Sequence, residues 1–201
     1  MLERFRQFFT AVFRPIGDLL LRMGVSPNAV TFVGTLGVCG GALGFFPRGE
    51  LLVGVLVVTA FVFSDLIDGY MARSSGQTGA WGSFLDSTFD RMGDAAVFGG
   101  IALWFAWGGD DKVLLCVALW CLVMGAVTSY ARAKAESLGM KAKGGIAERT
   151  DRLVTVLVMA GLSDIFDLEI LLAIALWALA AASAVTVVQR MIMVRRQALA
   201  R

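Results

Sequence analysis

Asp65-Leu66-Ile67-Asp68-Gly69-Tyr70-Met71-Ala72-Arg73, answered a few residues later by Gly82-Ser83-Phe84-Leu85-Asp86-Ser87-Thr88-Phe89-Asp90, decides how this chain is to be read. Asp65, Asp68, Gly69, Ala72 and Arg73 recur at i, i+3, i+4, i+7 and i+8, which lines one face of a helix. Gly82, Asp86 and Asp90 recur at i, i+4 and i+8, one face of the next. The short Ser/Gly/Thr stretch 74–79 makes the two helices antiparallel neighbours. Both stripes therefore reach the same end and can face each other. A pair of carboxylates near a helix end is ordinarily a solvated face or an N-cap. Asp65 and Asp68 are expected toward the C-terminal end of their run, where the helix dipole disfavours anions. Converging carboxylates repel unless a cation neutralises them, and oxygen donors without His or Cys suit Mg²⁺ or Mn²⁺. Gly69 and Ala72 leave room for a flat or extended ligand to approach the backbone, and Arg73 offers a fork for phosphate.

Outward from this stretch the chain is apolar. Its 201 residues are 58% hydrophobic and 17% charged, with a mean hydropathy of +0.75. Ordinary soluble domains are roughly half apolar and a quarter charged. About 20 apolar residues cross a bilayer, and six segments stand out: Ala29–Phe46, Leu51–Arg73, Phe84–Trp107, Val113–Ala131, Leu153–Phe166 and Ile170–Val188. Asp65, Asp68, Asp86, Asp90 and Asp94 lie within or beside them, where ionisable groups are functional hypotheses by default. Ser26-Pro27 reads as a helix start, Ser as N-cap and Pro at the first helical position. Before it, Phe5, Phe8, Phe9, Val12, Phe13, Ile16, Leu19 and Leu20 recur at helical spacing among arginines, with Pro15 bending or restarting the helix. The expected fold is an all-α integral membrane protein, six transmembrane helices preceded by an N-terminal interfacial amphipathic helix. It forms a single domain over 1–201, with 1–23 juxtamembrane and 29–189 the six-helix bundle.

Charge orients it. Sixteen of the eighteen Lys and Arg fall on the side of the termini, leaving only Arg48 and Lys112 opposite. By the positive-inside bias both termini and the carboxylates are cytoplasmic. The net charge of +2 thus averages two faces of opposite sign. The chain has no histidine, which excludes Ser-His-Asp triads, Cys-His dyads and His-ligated metal centres. Cys39, Cys116 and Cys121 are odd in number and sit in apolar runs, so they read as buried small hydrophobes. A second charged group, Arg132, Lys134, Arg149, Arg152 and Arg190, lies at the cytoplasmic helix ends and can capture an anionic headgroup. For Lys141, Lys143, Arg195 and Arg196 contact with anionic membrane lipid is the simpler reading.

The pattern Asp65-x2-Asp68-Gly69-x2-Ala72-Arg73-x8-Gly82-x3-Asp86-x3-Asp90 resembles the complete signature of the CDP-alcohol phosphotransferases, eight fixed residues in 26 positions. The six spans and the interfacial helix agree with that family, so the resemblance covers essentially the whole chain. It implies transfer of a phospho-alcohol from a CDP-linked donor to an acceptor hydroxyl, with release of CMP. By this resemblance Asp65, Asp68, Asp86 and Asp90 hold two divalent ions on the donor diphosphate, and Asp90 doubles as general base. Gly69, Ala72 and Gly82 would admit the cytidine side of the donor, Arg73 would contact phosphate, and Thr31 would help line the nucleotide site. A homodimer in the bacterial inner membrane is implied as well, with no nucleic-acid partner.

The stretch from Ser129 to Arg152 resembles that of actinobacterial phosphatidylinositol phosphate synthases, which join CDP-diacylglycerol to inositol 1-phosphate. Those enzymes commonly carry Lys then Arg where this chain has Arg132 then Lys134, and Pro at the place of Thr150. Two alternatives stay open. A phosphatidylglycerophosphate synthase would use glycerol 3-phosphate through the same donor chemistry. An ion or proton-coupled transporter would use the carboxylates as a relay; their clustering at one membrane face, and the absence of Pro-broken spans, weigh against it.

Overall fold

Ser26 opens the first long helix as expected. Its backbone is extended and its hydroxyl accepts the Ala29 N–H at 3.2 Å, with Pro27 in the first turn. The computed structural model describes residues 14–76 and 79–200. Among them every regular element is helical: α1 (14–22), α2 (Pro27–Phe45) with a 3₁₀ turn at Phe46–Arg48, α3 (Leu51–Val62), α4 (Ser64–Ser74), α5 (Ala80–Trp107), α6 (Lys112–Ser137), α7 (Arg149–Phe166) and α8 (Glu169–Leu199). Local chemistry sets the boundaries. Asp111 caps α6 by accepting Val113 and Leu114 N–H, both at 2.9 Å. Glu148 and Asp151 form a reciprocal capping box at the start of α7, and Asp167 in the left-handed region ends it. The N-terminal part of the amphipathic segment, Phe5 to Phe13, lies outside the described residues. Its continuation, α1, docks on α4, where the Tyr70 hydroxyl donates to Asp18 Oδ1 at 2.7 Å.

The expected single run from Leu51 to Arg73 is two helices. At Phe63 the chain tightens: Leu66 N–H bonds back to the Phe63 carbonyl at 3.1 Å, and the Ser64 hydroxyl takes the Phe61 carbonyl at 2.6 Å. Asp65 consequently stands in the first turn of α4 rather than toward the C-terminal end of a long helix. Asp65 therefore sits, against expectation, at the helix end whose dipole favours an anion. It does not act as the cap, because the residue in that position is Phe63, without a side-chain bond.

Around this break α2 packs on α3, α4 and α5; α5 continues onto α6, α6 onto α8, and α7 fills the space between α3 and α8. The apolar core runs through Val38, Ala42, Phe46, Val58, Val97, Phe98, Ile101 and Leu176. Gly100 is required where α2 crosses α5, since a Cβ there would stand 2.7 Å from the Ala42 carbonyl oxygen. The outside is apolar too: Leu36, Leu43, Leu56, Val123, Val158, Trp177 and Val188 are exposed. Cys121 is buried as expected, whereas Cys116 faces outward among these residues. A soluble monomer does not carry so continuous an apolar surface. Four helical stretches among the described residues, Pro27–Arg48 (α2 with its 3₁₀ turn), Leu51–Ser74 (α3 with α4), Lys112–Ser137 and Glu169–Leu199, are long and apolar enough to cross a membrane. In α5 the first half carries Asp86, Asp90, Arg91 and Asp94, and α7 is only 18 residues long with charges at both ends.

Candidate active site

The two stripes do converge. Asp65 from α4 and Asp86 and Asp90 from α5 each offer a carboxylate oxygen within 4.8 Å of the others. Asp65 and Asp86 are exposed and Asp90 is half-buried. Asp68 stands beside them, buried, with its Oδ2 lacking a hydrogen-bond partner among the described residues. The break at Phe63 lies just before the first turn of α4, the helix that carries Asp65 and Asp68. Gly34 allows the close approach of α2 to that break, because a Cβ there would collide with the Ser64 hydroxyl. Three carboxylates this close, together with a buried unpartnered carboxylate oxygen, form the donor set of a hard divalent cation. The residues fit such an ion.

Two large cavities flank the cluster, beside a small one of about 60 Å³ that reaches Gly34 and Val38. The first, about 460 Å³, is lined by Pro27, Asn28, Thr31, Asp65, Asp68, Gly69, Ala72, Arg73, Gly82 and Asp86. Every residue expected on the donor side lies in its wall. Thr31 donates to the Pro27 carbonyl at 3.2 Å and its hydroxyl also interacts with Asp68. The small residues act as anticipated. A Cβ at Gly82 would meet nothing closer than Asn28 at 3.8 Å, and one at Gly69 would meet only the Arg73 guanidinium, at 3.3 Å.

The second cavity, about 740 Å³, is basic and lies on the other side of Asp86 and Asp90. Arg132, Arg149, Arg152 and Arg190 all line it. Lys134, expected with them, does not: it is exposed on α6 outside the cavity wall. The reason is helical phase. Arg132 and Lys134 are two residues apart, about 200° around the axis, so one helix cannot present both to one cavity. Arg132 itself is exposed and pairs with Glu136 at 2.8 Å. Arg190 is buried and anchored on backbone, donating through Nε to the Gly144 carbonyl at 3.1 Å and through Nη1 to the Thr128 carbonyl at 2.7 Å. It thereby ties the loop before α7 to α6.

Arg149 joins the two halves. Its Nη1 lies 2.8 Å from Asp90 Oδ1 and its Nε 3.1 Å from Asp94 Oδ1. Asp94 also meets Arg91 at 3.2 Å and Arg152 at 3.8 Å. Sequence reasoning placed Asp94 in a span without giving it a role. The signal was present, because Asp86, Asp90 and Asp94 continue one i, i+4, i+8 stripe. Its partners on α7 follow more than fifty residues later and belong to no local pattern.

Residues 24–188 match the CDP-alcohol phosphatidyltransferase family. A phosphatidylinositol phosphate synthase of Streptomyces avermitilis is 51% identical, over 98% of this chain and 84% of its own length. That of Cutibacterium acnes is 50% identical, over 98% of both chains. Among solved structures, Mycobacterium tuberculosis phosphatidylinositol phosphate synthase with CDP-DAG bound superposes with a TM-score of 0.87 at 42% identity, over 94% of each chain. The same enzyme in complex with manganese and citrate gives 0.86 at 44% identity, over 90% of this chain and 87% of that one.

Proposed function

The chain belongs to the CDP-alcohol phosphatidyltransferase family, and from that premise we propose that it transfers the phosphatidyl group of CDP-diacylglycerol to inositol 1-phosphate. The products are phosphatidylinositol phosphate and CMP. One observation carries the reading: the three-carboxylate cluster stands between a groove with small residues at its floor, walled by Asp65 and Asp86, and a cavity lined by arginines, walled by Asp86 and Asp90. A donor diphosphate and an acceptor phosphate can then meet at the same carboxylates. Relatives of about half identity bear the corresponding enzyme name, which supports the choice of acceptor.

In this reading Asp65, Asp68, Asp86 and Asp90 hold the divalent metal, Mg²⁺ or Mn²⁺, as two ions. A divalent ion bound there supplies charge neutralisation for the diphosphate and for the departing CMP. The chain's own residues orient the reactants. Gly69, Ala72 and Gly82 admit the cytidine and let the donor lie against backbone, while Arg73 and Thr31 hold its phosphate side. Arg132, Arg149, Arg152 and Arg190 receive the acceptor's phosphate, with guanidinium forks matched to a phosphomonoester. Asp90, in the wall of the arginine-lined cavity beside Asp86, accepts the proton of the attacking inositol hydroxyl. A phosphorus–oxygen bond to that hydroxyl forms as the bond to CMP breaks. Positioning and electrostatics do most of the work in such a transfer.

The six-span arrangement, with α5 and α7 spanning beside the four more apolar helices, fits the same reading, as do cytoplasmic termini, an interfacial α1 and a homodimer. Basic residues gather at the end of the molecule where the cavity opens, which supports a cytoplasmic active site in the bacterial inner membrane. The test is direct. Purified protein in lipid with CDP-diacylglycerol and Mg²⁺ should release CMP when given inositol 1-phosphate. CMP release with glycerol 3-phosphate alone would assign the acceptor to the phosphatidylglycerophosphate class instead.

A further inference from the structure

Asp94 takes no part in the chemistry just described, yet it pairs with three arginines. It is buried, 6% exposed. Its Oδ1 accepts Arg149 Nε at 3.1 Å, and its Oδ2 faces Arg91 at 3.2 Å and Arg152 at 3.8 Å. Arg152 is only 2% exposed, so water cannot solvate its charge. Besides Asp94 it has the Ala147 carbonyl, at 3.2 Å, and Gly125 leaves it room: a Cβ there would stand 3.2 Å from the guanidinium. Arg149 depends on Asp94 in another way. It bridges Asp90 and Asp94, so loss of Asp94 would leave its Nη1 on Asp90 but free its Nε, and the guanidinium plane would no longer be fixed at the cavity wall.

Building on the phosphatidyl-transfer reading, we infer that Asp94 is a positioning residue for the acceptor phosphate, holding Arg149 and Arg152 at the cavity wall in the orientation a phosphomonoester requires. Three guanidiniums gathered around one carboxylate repel one another and would separate without it. Asp90, which also meets Arg149 and Arg91, brings the carboxylates to two against three guanidiniums, so one positive charge stays unbalanced. The surplus positive charge suits a dianionic phosphomonoester, and a neutral polyol acceptor would not call for it.

The sign of the effect separates positioning from simple charge balance. If Asp94 merely diluted the positive field, its neutralisation would strengthen attraction for the acceptor phosphate and lower the acceptor KM. If it positions the arginines, neutralisation raises that KM. The experiment measures initial CMP release by the full-length protein in lipid with CDP-diacylglycerol and Mg²⁺, for wild type, D94N, R149Q and the double variant, varying each substrate in turn. The expected result for D94N is an acceptor KM raised about tenfold or more, as for groups that orient a ligand's contacts, with donor KM and kcat within about threefold of wild type. The double variant should raise the acceptor KM by less than the product of the two single effects, because Asp94 acts in part through Arg149 and in part through Arg152. An unchanged or lowered acceptor KM in D94N overturns the inference, as do fully additive effects or equal losses on donor and acceptor. Should D94N fail to fold, D94E keeps the charge and moves it by one methylene. It should show a smaller shift confined to the acceptor, and a shift shared with the donor overturns the inference. Wild-type activity with glycerol 3-phosphate in place of inositol 1-phosphate would replace the acceptor named above. The Asp94 test would then run unchanged with that phosphomonoester. No CMP release with either acceptor overturns both.

Discussion

The donor groove and the acceptor cavity share Asp86 as a wall, but they are built on opposite plans. The groove draws most of its wall from one contiguous helix–loop–helix, α4 and α5. It works by leaving things out: Gly69, Ala72 and Gly82 contribute space, and carboxylates stand ready for a cation. The cavity is assembled from α5, α6, α7 and α8, and it works by holding charges in advance. Arg149, Arg152 and Arg190 already have carboxylate or carbonyl partners, and two of them are buried. Space is tolerant of small errors in placement, whereas a preorganised phosphate fork is not. The half that binds the large donor can therefore be local, and the half that must select a small anion is braced from several helices.

This contrast can be broken in order of expected effect. Chelation of divalent metal should reduce CMP release to background, with recovery on adding Mg²⁺ or Mn²⁺. Release that persists in excess EDTA would remove the metal from the carboxylate cluster. Next, Asp90→Asn should lower kcat by about 10²- to 10⁴-fold, the usual range for a general base, while CDP-diacylglycerol binding largely survives. Near-normal turnover would take Asp90 out of that role. Arg152→Ala should raise the acceptor KM by about tenfold or more and lower thermal stability, since truncating one member of a buried pair strands the rest. An equal effect on the donor KM would deny the cavity its separate function. In the groove, Gly69→Val should raise the donor KM by about tenfold, through overpacking against Arg73, with the acceptor KM little changed. Smallest of all, Lys134→Ala should shift the acceptor KM less than about twofold, as befits an exposed cation outside the wall. A shift as large as that of Arg152→Ala would return Lys134 to the site.

The fold was legible in outline because a bilayer demands long apolar helices and the chain supplies them. The break at Phe63 was not, because nothing in Phe61-Val62-Phe63-Ser64 marks it: there is neither Pro nor Gly. It arises where Ser64 turns its hydroxyl to the Phe61 carbonyl under the close approach of α2 at Gly34. Span limits were short at the charged ends, as with α6, which continues to Ser137 because Arg132 to Glu136 are good helix formers that water solvates. Lys134 shares its charge and its place near a helix end with Arg132, and helical phase sets it outside the cavity wall. Asp94 was seen and left without a role.

From sequence alone came the helical class, the likeness to a family, the uneven distribution of charge and the carboxylate motif. The carboxylate motif depends on spacing within 26 residues, which local helix geometry converts directly into a shared face, and the charge distribution depends only on where the apolar runs fall along the chain. Only the tertiary structure decided which arginines reach the cavity, how Arg149 bridges Asp90 and Asp94, and that Asp65 opens its helix instead of closing a longer one. Those outcomes depend on contacts between helices distant in sequence, where a buried cation must find whichever carboxylate or carbonyl the packing brings within reach.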